Sequence, residues 1–388
     1  MEPLAAVSRL VAGFLATLPP RAVFDRVITE FSQSVLTRHD VQAAFVREAL
    51  MRPAPAIDKH HGSETSAANA STSSPDLLRF PAGGVPQLYP PRFLRIWMDE
   101  IEHAQHLVEN EMGVEESFMD AMVSFCQGLH NTKLGLTAGR GFQVFFPYAD
   151  IRNEQSRLIV SSSAVFSEVG FRLWNAGKVL FEAIFPLRPG CVQYSLEGPL
   201  RQALRGKRVV EIGAGLGVNA VALRSVGAKK ILLTDHDTSV LENLAFNCIL
   251  NCPEMVRKQE LLCSILDVEA MSKEEPRNLA AEYDVVLAAD VTYSPELAKS
   301  AVQAFAAMLQ REDQVGFLVA TRRSDEVWSV LGQSFRESRD LVIVDVTDVV
   351  KKCSSHCLDY LVHHDMKEEA ISIFQLRPCA LMNAQAQK

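Results

Sequence analysis

Hydrophobic positions follow two different regimes along the chain. Between Val23 and Leu50 the apolar residues Phe24, Val27, Ile28, Phe31 and Val35 recur at steps of three and four, the period of an amphipathic helix. Residues 1–55 therefore read as a helical N-terminal region. Beyond Leu158, short apolar runs take over at Arg208–Ile212, Lys230–Thr234, Tyr283–Ala289, Val315–Ala320, Leu341–Val346 and Ile371–Leu376. Amphipathic stretches separate most of these runs. Ser294–Leu309 is the clearest, with Ser294 placed as N-cap and Pro295 at the first helical position. Strands alternating with helices predict an α/β fold, a doubly wound and mostly parallel sheet covered by helices on both faces. The last two runs have no long helical pattern between them, which suits an antiparallel hairpin at one edge of the sheet.

Between the regimes the composition changes. Residues 56–88 are rich in Ser, Ala, Thr, Gly and Pro, and within Ser63–Ser74 the only apolar side chains are alanines. Such a segment buries too little surface to offset its ordering entropy, and reads as a flexible low-complexity insertion. Order is expected again from Tyr89-Pro-Pro-Arg-Phe-Leu-Arg-Ile-Trp97, with residues 89–157 completing the helical region before an α/β domain over 158–388. Asp99–Asp120 holds eight carboxylates and no Lys or Arg; a solvated helix face explains it more simply than a docking surface for a basic partner.

A length of 388 residues, with 48% hydrophobic and 22% charged residues, fits two globular units with a sizeable core. The net charge of −8 disfavours bulk electrostatic binding to nucleic acid, so no direct nucleic-acid partner is expected. Eight cysteines in a chain of this length do not make a disulfide framework. Cys248 with Cys252, and Cys353 with His356 and Cys357, read as reduced thiols and not as a metal site, because neither spacing supplies a tetrahedral set. The apolar stretch Leu10–Leu18 lacks a basic flank and a small-residue cleavage site, and no run approaches a membrane span. A cytoplasmic monomer is the expectation.

Candidate chemistry centres on the strand–loop–helix Arg208–Val221. Its strand ends on Glu211, and Gly213, Gly215 and Gly217 then crowd a turn where a ligand can approach the backbone closely. The glycines run G-x-G-x-G with Val at 218, and not in the G-x-G-x-x-G spacing of a nicotinamide site. An acidic residue ahead of the first glycine suits a cationic amino group better than a pyrophosphate. Asp235, at the tip of the next strand and 22 residues after Gly213, can accept ribose hydroxyls. Together these residues point to S-adenosylmethionine (AdoMet) as the cofactor.

A second group lies later in the chain. The run Tyr283–Ala289 ends in Ala289-Asp290-Val-Thr-Tyr293, which puts a carboxylate at the carboxyl end of a central strand. Asp290 could cap the following helix, but Ser294 is better placed for that, so Asp290 is read as functional: it can bond the cofactor's amino group or orient an incoming amine. Upstream, Gly170-Phe-Arg-Leu-Trp174-Asn-Ala precedes the glycine loop; taken alone, Trp174 reads as a core aromatic.

In order and separation, Gly170-x-x-x-Trp174-Asn-Ala, Glu211-Ile-Gly-Ala-Gly-Leu-Gly217, Leu266-Asp267 and Asp290-Val-Thr-Tyr293 resemble the motifs of the seven-strand protein-lysine methyltransferases that carry an Asp-x-x-Tyr motif. The resemblance covers about Leu158 to Leu376. It implies a seven-stranded Rossmann-like sheet. Trp174 is then implied to line the cofactor pocket, Glu211 and the glycines to hold the methionine end, Asp235 the ribose, and Asp267 the adenine side. Ala289, Asp290 and Tyr293 are implied to shape the cofactor and lysine cleft. The stretch Tyr89–Trp97 resembles the leader of those family members that act on translation elongation factor 2, which makes that protein the implied partner. Two departures stand out: Val268 replaces the usual aromatic residue after Asp267, and Asn175 replaces the commoner Asp after Trp174. Methylation of a small amine or a nucleic acid is a rival reading, although no Asn/Asp-Pro-Pro-Tyr motif follows Ala289. A non-catalytic binding module with the same fold is another.

Overall fold

The computed structural model describes residues 2–15, 23–24, 27–28, 31, 35–36, 38–45, 96–97, 100, 140–149, 158–163, 169–186, 198–271, 274–355, 357 and 371–379. The insertion read at 56–88, His356 and all of the acidic stretch except Glu100 lie outside these residues. The chain forms two compact units, residues 1–168 with 358–364, and residues 169–357 with 365–388.

The first unit contains α1 (Glu2–Leu15), α2 (His39–Phe45) and the antiparallel pair β1 (Arg140–Phe145) and β2 (Leu158–Ser163). The division places Leu158–Ser163, the start of the expected α/β domain, with this unit. Trp97 anchors its core. The side chain is fully buried, its indole N–H donates to the Leu36 carbonyl at 3.2 Å, and its ring lies 4.8 Å from Phe45 and 5.7 Å from Phe24. The Val23–Leu50 periodicity thus reflects a buried face, since Phe24, Val27 and Val35 are all inside.

The second unit is a seven-stranded sheet. In chain order its strands are β3 (Arg208–Ile212), β4 (Lys230–Asp235), β5 (Leu261–Ile265), β6 (Val285–Ala289), β7 (Val315–Thr321), β8 (Leu341–Asp345) and β9 (Ile371–Pro378). Spatially the order is β5-β4-β3-β6-β7-β9-β8. All pairings are parallel except those of β9, which runs antiparallel to both β7 and β8. The expected hairpin at the edge is present, with β9 inserted between β7 and β8. The expected doubly wound, mostly parallel sheet is therefore the observed fold.

Central strands β3, β6 and β7 are buried almost throughout, as strands covered on both faces must be. Edge strands β5 and β8 alternate toward solvent. Of this sheet's strands only β5 is absent from the runs named above. In the first unit β1 and β2 are absent as well, and β1 is a strand within residues 89–157, which read as helical. The short Leu-Leu-Cys-Ser-Ile segment of β5 exposes Leu262 and Ile265, and half-exposed strands give the weakest hydrophobic signal. Between strands lie α3 (Asn175–Ile184), α4 (Pro199–Leu204), α5 (Asn219–Val226), α6 (Thr238–Asn251), α7 (Pro253–Arg257), α8 (Glu274–Glu282), α9 (Pro295–Met308), α10 (Asp325–Glu337) and α11 (Thr347–Lys352). Ser294 caps α9 as expected, its Oγ accepting from Leu297 N at 3.2 Å. Phe305 on α9 is fully buried against Gly316 of β7, where an added Cβ would meet the ring at 2.7 Å.

Strand order decides where a ligand can sit. The chain leaves β3 toward β4 and β5, then returns to β6 on the other side of β3. The carboxyl ends of β3 and β6 therefore flank the switch point, the place where open α/β sheets bind ligands.

At the opposite end of these strands, Asp284 ties the sheet together. It takes bonds from Arg208 Nε at 3.1 Å, Arg208 Nη2 at 2.6 Å and Arg311 Nη2 at 3.0 Å. The Arg208 side-chain hydrogen bonds hold its carboxyl down to about 2 from 3.8, against the opposing effect of burial. A depressed folded-state value stabilises the fold above the unfolded pKa, and that stability is lost as pH falls through about 2. Asp284→Asn is expected to cost about 2 kcal/mol at pH 7, measured by urea denaturation, with the difference from the parent protein disappearing toward pH 2.

Candidate functional site

Glu211 is the last residue but one of β3, before the buried Ile212, and it is only 2% exposed. Asn219 Nδ2, on the first turn of α5, donates to Glu211 Oε1 at 2.6 Å, whereas Glu211 Oε2 is buried without a hydrogen-bond partner. Burial pushes the carboxyl up to about 7, offset in part by the Asn219 bond. A buried acceptor left open is costly, so the free oxygen marks a place for a donor, preferably a cationic one.

The loop beyond Glu211 is pinned from several sides. Ala214 N donates to Thr234 O at 2.8 Å and Gly217 N to Ala214 O at 2.9 Å, closing the turn. Asn247 Nδ2 on α6 donates to Leu216 O at 3.0 Å. Gly213 and Gly217 have φ of 64° and 73°, in the left-handed region where a side chain is strained. A Cβ at Gly213 would meet Val291 at 2.6 Å, and one at Gly217 would meet Leu244 at 2.4 Å. Gly217→Ala is expected to cost several kcal/mol, combining left-handed strain with overpacking; a thermal melt of that variant within a degree of the parent protein would refute this account of the loop.

Asp235 ends β4 and is 6% exposed. Its Oδ2 accepts from Gly215 N at 3.1 Å and its Oδ1 from Asp237 N at 3.3 Å. The two carboxylates, on neighbouring strand ends, thus bracket the loop. Asp267 follows β5 on the outer side, where it is exposed and accepts from Glu269 N at 2.9 Å and Ala270 N at 3.4 Å. These bonds hold the local turn.

Across the switch point, Ala289 ends β6 opposite Val319 of β7. Asp290 then turns with φ of 59°, a conformation that Asp adopts more readily than bulkier residues. It does not cap α9. Instead its Oδ1 accepts from Thr321 N at 3.3 Å, and its Oδ2 stands 3.2 Å from Arg323 Nη2. That contact is an ion pair without hydrogen-bond geometry, so Oδ2 keeps its acceptor capacity. Tyr293 is 46% exposed. Its phenol is raised by partial burial first, then by the Asp235 and Glu269 carboxylates.

Trp174 precedes α3 and is only partly buried, so it is not the plain core aromatic that its residue type alone suggests. Its indole N–H donates to Val169 O at 2.9 Å, and two guanidinium groups lie against its ring, Arg323 at 4.8 Å and Arg172 at 5.3 Å. The adjoining Gly170 carbonyl would touch a Cβ at Gly215 at 3.4 Å, which brings this segment beside the glycine loop. Glu211, Asp235, the glycine loop, Asp290 and Trp174 therefore gather at one end of the sheet. Pattern reading overlooked Asn219, Asn247 and Arg323. Asn219 could have been found from its place in the first helical turn after the loop. The adjacent pair Arg322-Arg323 gave no sign of which arginine turns inward.

AdoMet fits these groups. Glu211's free oxygen suits a cationic amino group, the glycine loop leaves its backbone open, and the Asp235 carboxylate retains lone pairs for hydroxyls. Among the described residues no group of His, Cys, Asp and Glu is arranged to hold a metal ion, and no helix is long and apolar enough to cross a membrane.

Residues 152–333 match a family model described as lysine methyltransferase, just under half of the chain. An uncharacterized protein of Dictyostelium discoideum is 28% identical, over 38% of this chain and 47% of its own. The protein N-terminal and lysine N-methyltransferase EFM7 of Yarrowia lipolytica is 35% identical, over 20% of this chain and 24% of its own. The human electron transfer flavoprotein beta subunit lysine methyltransferase is 26% identical, over 38% of this chain and 56% of its own. The chain thus spans about half or less of the length of the curated relatives it matches. Residues 152–333 are thus similar in sequence to the lysine methyltransferases.

Proposed function

We propose that the protein is an AdoMet-dependent protein-lysine N-methyltransferase and that its substrate is translation elongation factor 2. One observation carries the choice of an amine nucleophile: Asp290, 9% exposed, presents a carboxylate oxygen with spare acceptor capacity beside the cofactor cradle. A buried acceptor at the switch point suits an N–H donor. The printed names of the Yarrowia and human relatives describe lysine methylation, and the resemblance of Tyr89–Trp97 to a family leader supports the choice of substrate.

Each residue has a distinct task. Glu211 and Asn219 hold the amino-acid end of the cofactor, Asp235 its ribose and Asp267 the adenine side. Trp174 walls the pocket, Asp290 orients the lysine amine, and Tyr293 lines the mouth of the cleft. When bound, the cofactor supplies an electrophilic methyl group on a sulfonium. Transfer is a direct displacement, so the protein contributes alignment and exclusion of water more than strong base catalysis.

Incubation of the full chain with methyl-tritiated AdoMet and a cell extract, followed by mass spectrometry of the labelled band, tests the proposal. Label on a lysine of elongation factor 2 is the expected result. Label on another protein's lysine overturns the choice of substrate, and label confined to small molecules or RNA overturns the class.

A further inference from the structure

Arg323 lies in the loop after β7 and is held from two sides. Its Nη2 is 3.2 Å from Asp290 Oδ2, and its guanidinium carbon is 4.8 Å from the centre of the Trp174 ring. Its neighbour Arg322 pairs instead with Asp325 at 2.8 Å. A guanidinium stacked on an indole and paired with a buried carboxylate is oriented by both contacts, and it stays charged at any working pH.

Such a cation has a chemical consequence at this position. The nucleophile in methyl transfer is a neutral amine, whereas a free lysine has a pKa near ~10.4. An uncompensated buried carboxylate beside that amine would favour the ammonium form and raise its pKa by roughly one to three units. A fixed positive charge on the same carboxylate cancels this effect while leaving an oxygen able to accept an N–H.

We propose that Arg323 is a charge-balancing residue for the substrate amine: it neutralises Asp290, so that the cleft orients a lysine without holding it as an ammonium ion. This rests on the reading of Asp290 as the residue that orients the lysine. Arg323 acts through Asp290 and is a positioning residue.

Among the described residues, other charged and titratable groups near this place include Arg172, 5.3 Å from the Trp174 ring, Tyr293 on the Asp290 loop, and, through its interaction with Arg172, Lys178 on α3. Burial brings Lys178 down to about 8, so it titrates in the same range. It is unchanged in every variant below, and the comparison rests on differences between variants.

The test uses the full chain with Arg323→Met, Arg323→Gln and Arg323→Lys, methyl-tritiated AdoMet, and extract proteins from cells lacking this protein. Initial labelling rates are followed from about pH 6.5 to 10. Arg323→Met and Arg323→Gln are expected to label about ten-fold more slowly near pH 7.5 and to converge with the parent protein toward pH 10, because the acid limb moves up by about one unit. Arg323→Lys is expected to follow the parent profile. Identical profiles, or a loss uniform across pH, would overturn the proposal.

A second readout needs no turnover. Calorimetry at pH 7 with n-butylammonium chloride on the S-adenosylhomocysteine-loaded protein is expected to give at least five-fold tighter binding to Arg323→Met than to the parent protein, since the carboxylate is then unbalanced. Equal affinity, including no binding by either, overturns the proposal. Absence of any labelled protein with the parent enzyme strikes instead at the lysine reading, and the calorimetric comparison still decides the charge role of Arg323.

Discussion

Glu211→Gln is expected to lower AdoMet affinity by roughly 100-fold, the equivalent of losing one charge-assisted hydrogen bond in a buried site. Gln keeps an oxygen for Asn219 but offers an amide in place of the carboxylate. Isothermal titration of the two proteins checks this directly. The parent protein should also show a pH dependence that the variant lacks. Its Glu211 titrates near 7 when the cradle is empty, and only the carboxylate attracts the cofactor's ammonium. Affinity is therefore expected to be flat above pH 7 and to weaken as pH falls below it. A pH-independent dissociation constant between about 5.5 and 8 would refute the assignment of this carboxylate to the amino group.

The same substitution carries the opposite sign for stability. Glu211 is raised from 4.5 to about 7 in the folded state, so the folded protein holds its proton where the unfolded chain has lost it. Below pH 4.5 both states are protonated and the group contributes nothing. Between 4.5 and 7 stability declines as pH rises, and above 7 the full penalty is present. Removing the charge should stabilise the cofactor-free protein at pH 8 by about 1–2 kcal/mol, after allowance for the amide's own unmet donors. If the proposed cofactor role holds, Glu211 trades stability for function.

Asp290→Asn is expected to reduce the methyl-transfer rate by about 100-fold or more, with AdoMet affinity changed less than three-fold. Asn tolerates the left-handed backbone at this position, and its side-chain oxygen can still accept from Thr321 N. The fold is preserved while the second carboxylate oxygen, the acceptor for the amine and the partner of Arg323, is replaced by an amide nitrogen. Single-turnover labelling under saturating cofactor separates the two quantities. Full activity would remove Asp290 from the lysine cleft. A parallel collapse of cofactor affinity would move it to the cofactor side.

Sequence periodicity resolved the central strands well because they are buried on both faces and read as unbroken apolar runs. It resolved β5 poorly because one face of that strand meets water. The Ser294 cap and the carboxylates at strand tips were legible for a local reason: capping and turn chemistry depend on neighbours within a few residues. Asp290's use of Thr321 N, 31 residues away, was not legible at all. It follows from β6 and β7 being adjacent, and nothing in either segment alone states that adjacency. Trp174 shows the same limit. Its residue type suggested a core position, yet two arginines, one just upstream and one after β7, claim its ring.

By itself the sequence determined the alternation of strands and helices, the glycine spacing and Glu211 at a strand tip, and with them the class of cofactor. These features are set by short-range sterics and by the period of burial. Only the tertiary structure decided which oxygen of Glu211 stays open, that Asn219 takes the other, and that Arg323 and not Arg322 meets Asp290. Those outcomes depend on strand order. The crossover from β5 back to β6 places two distant loops at one switch point, where residues far apart in the chain come together.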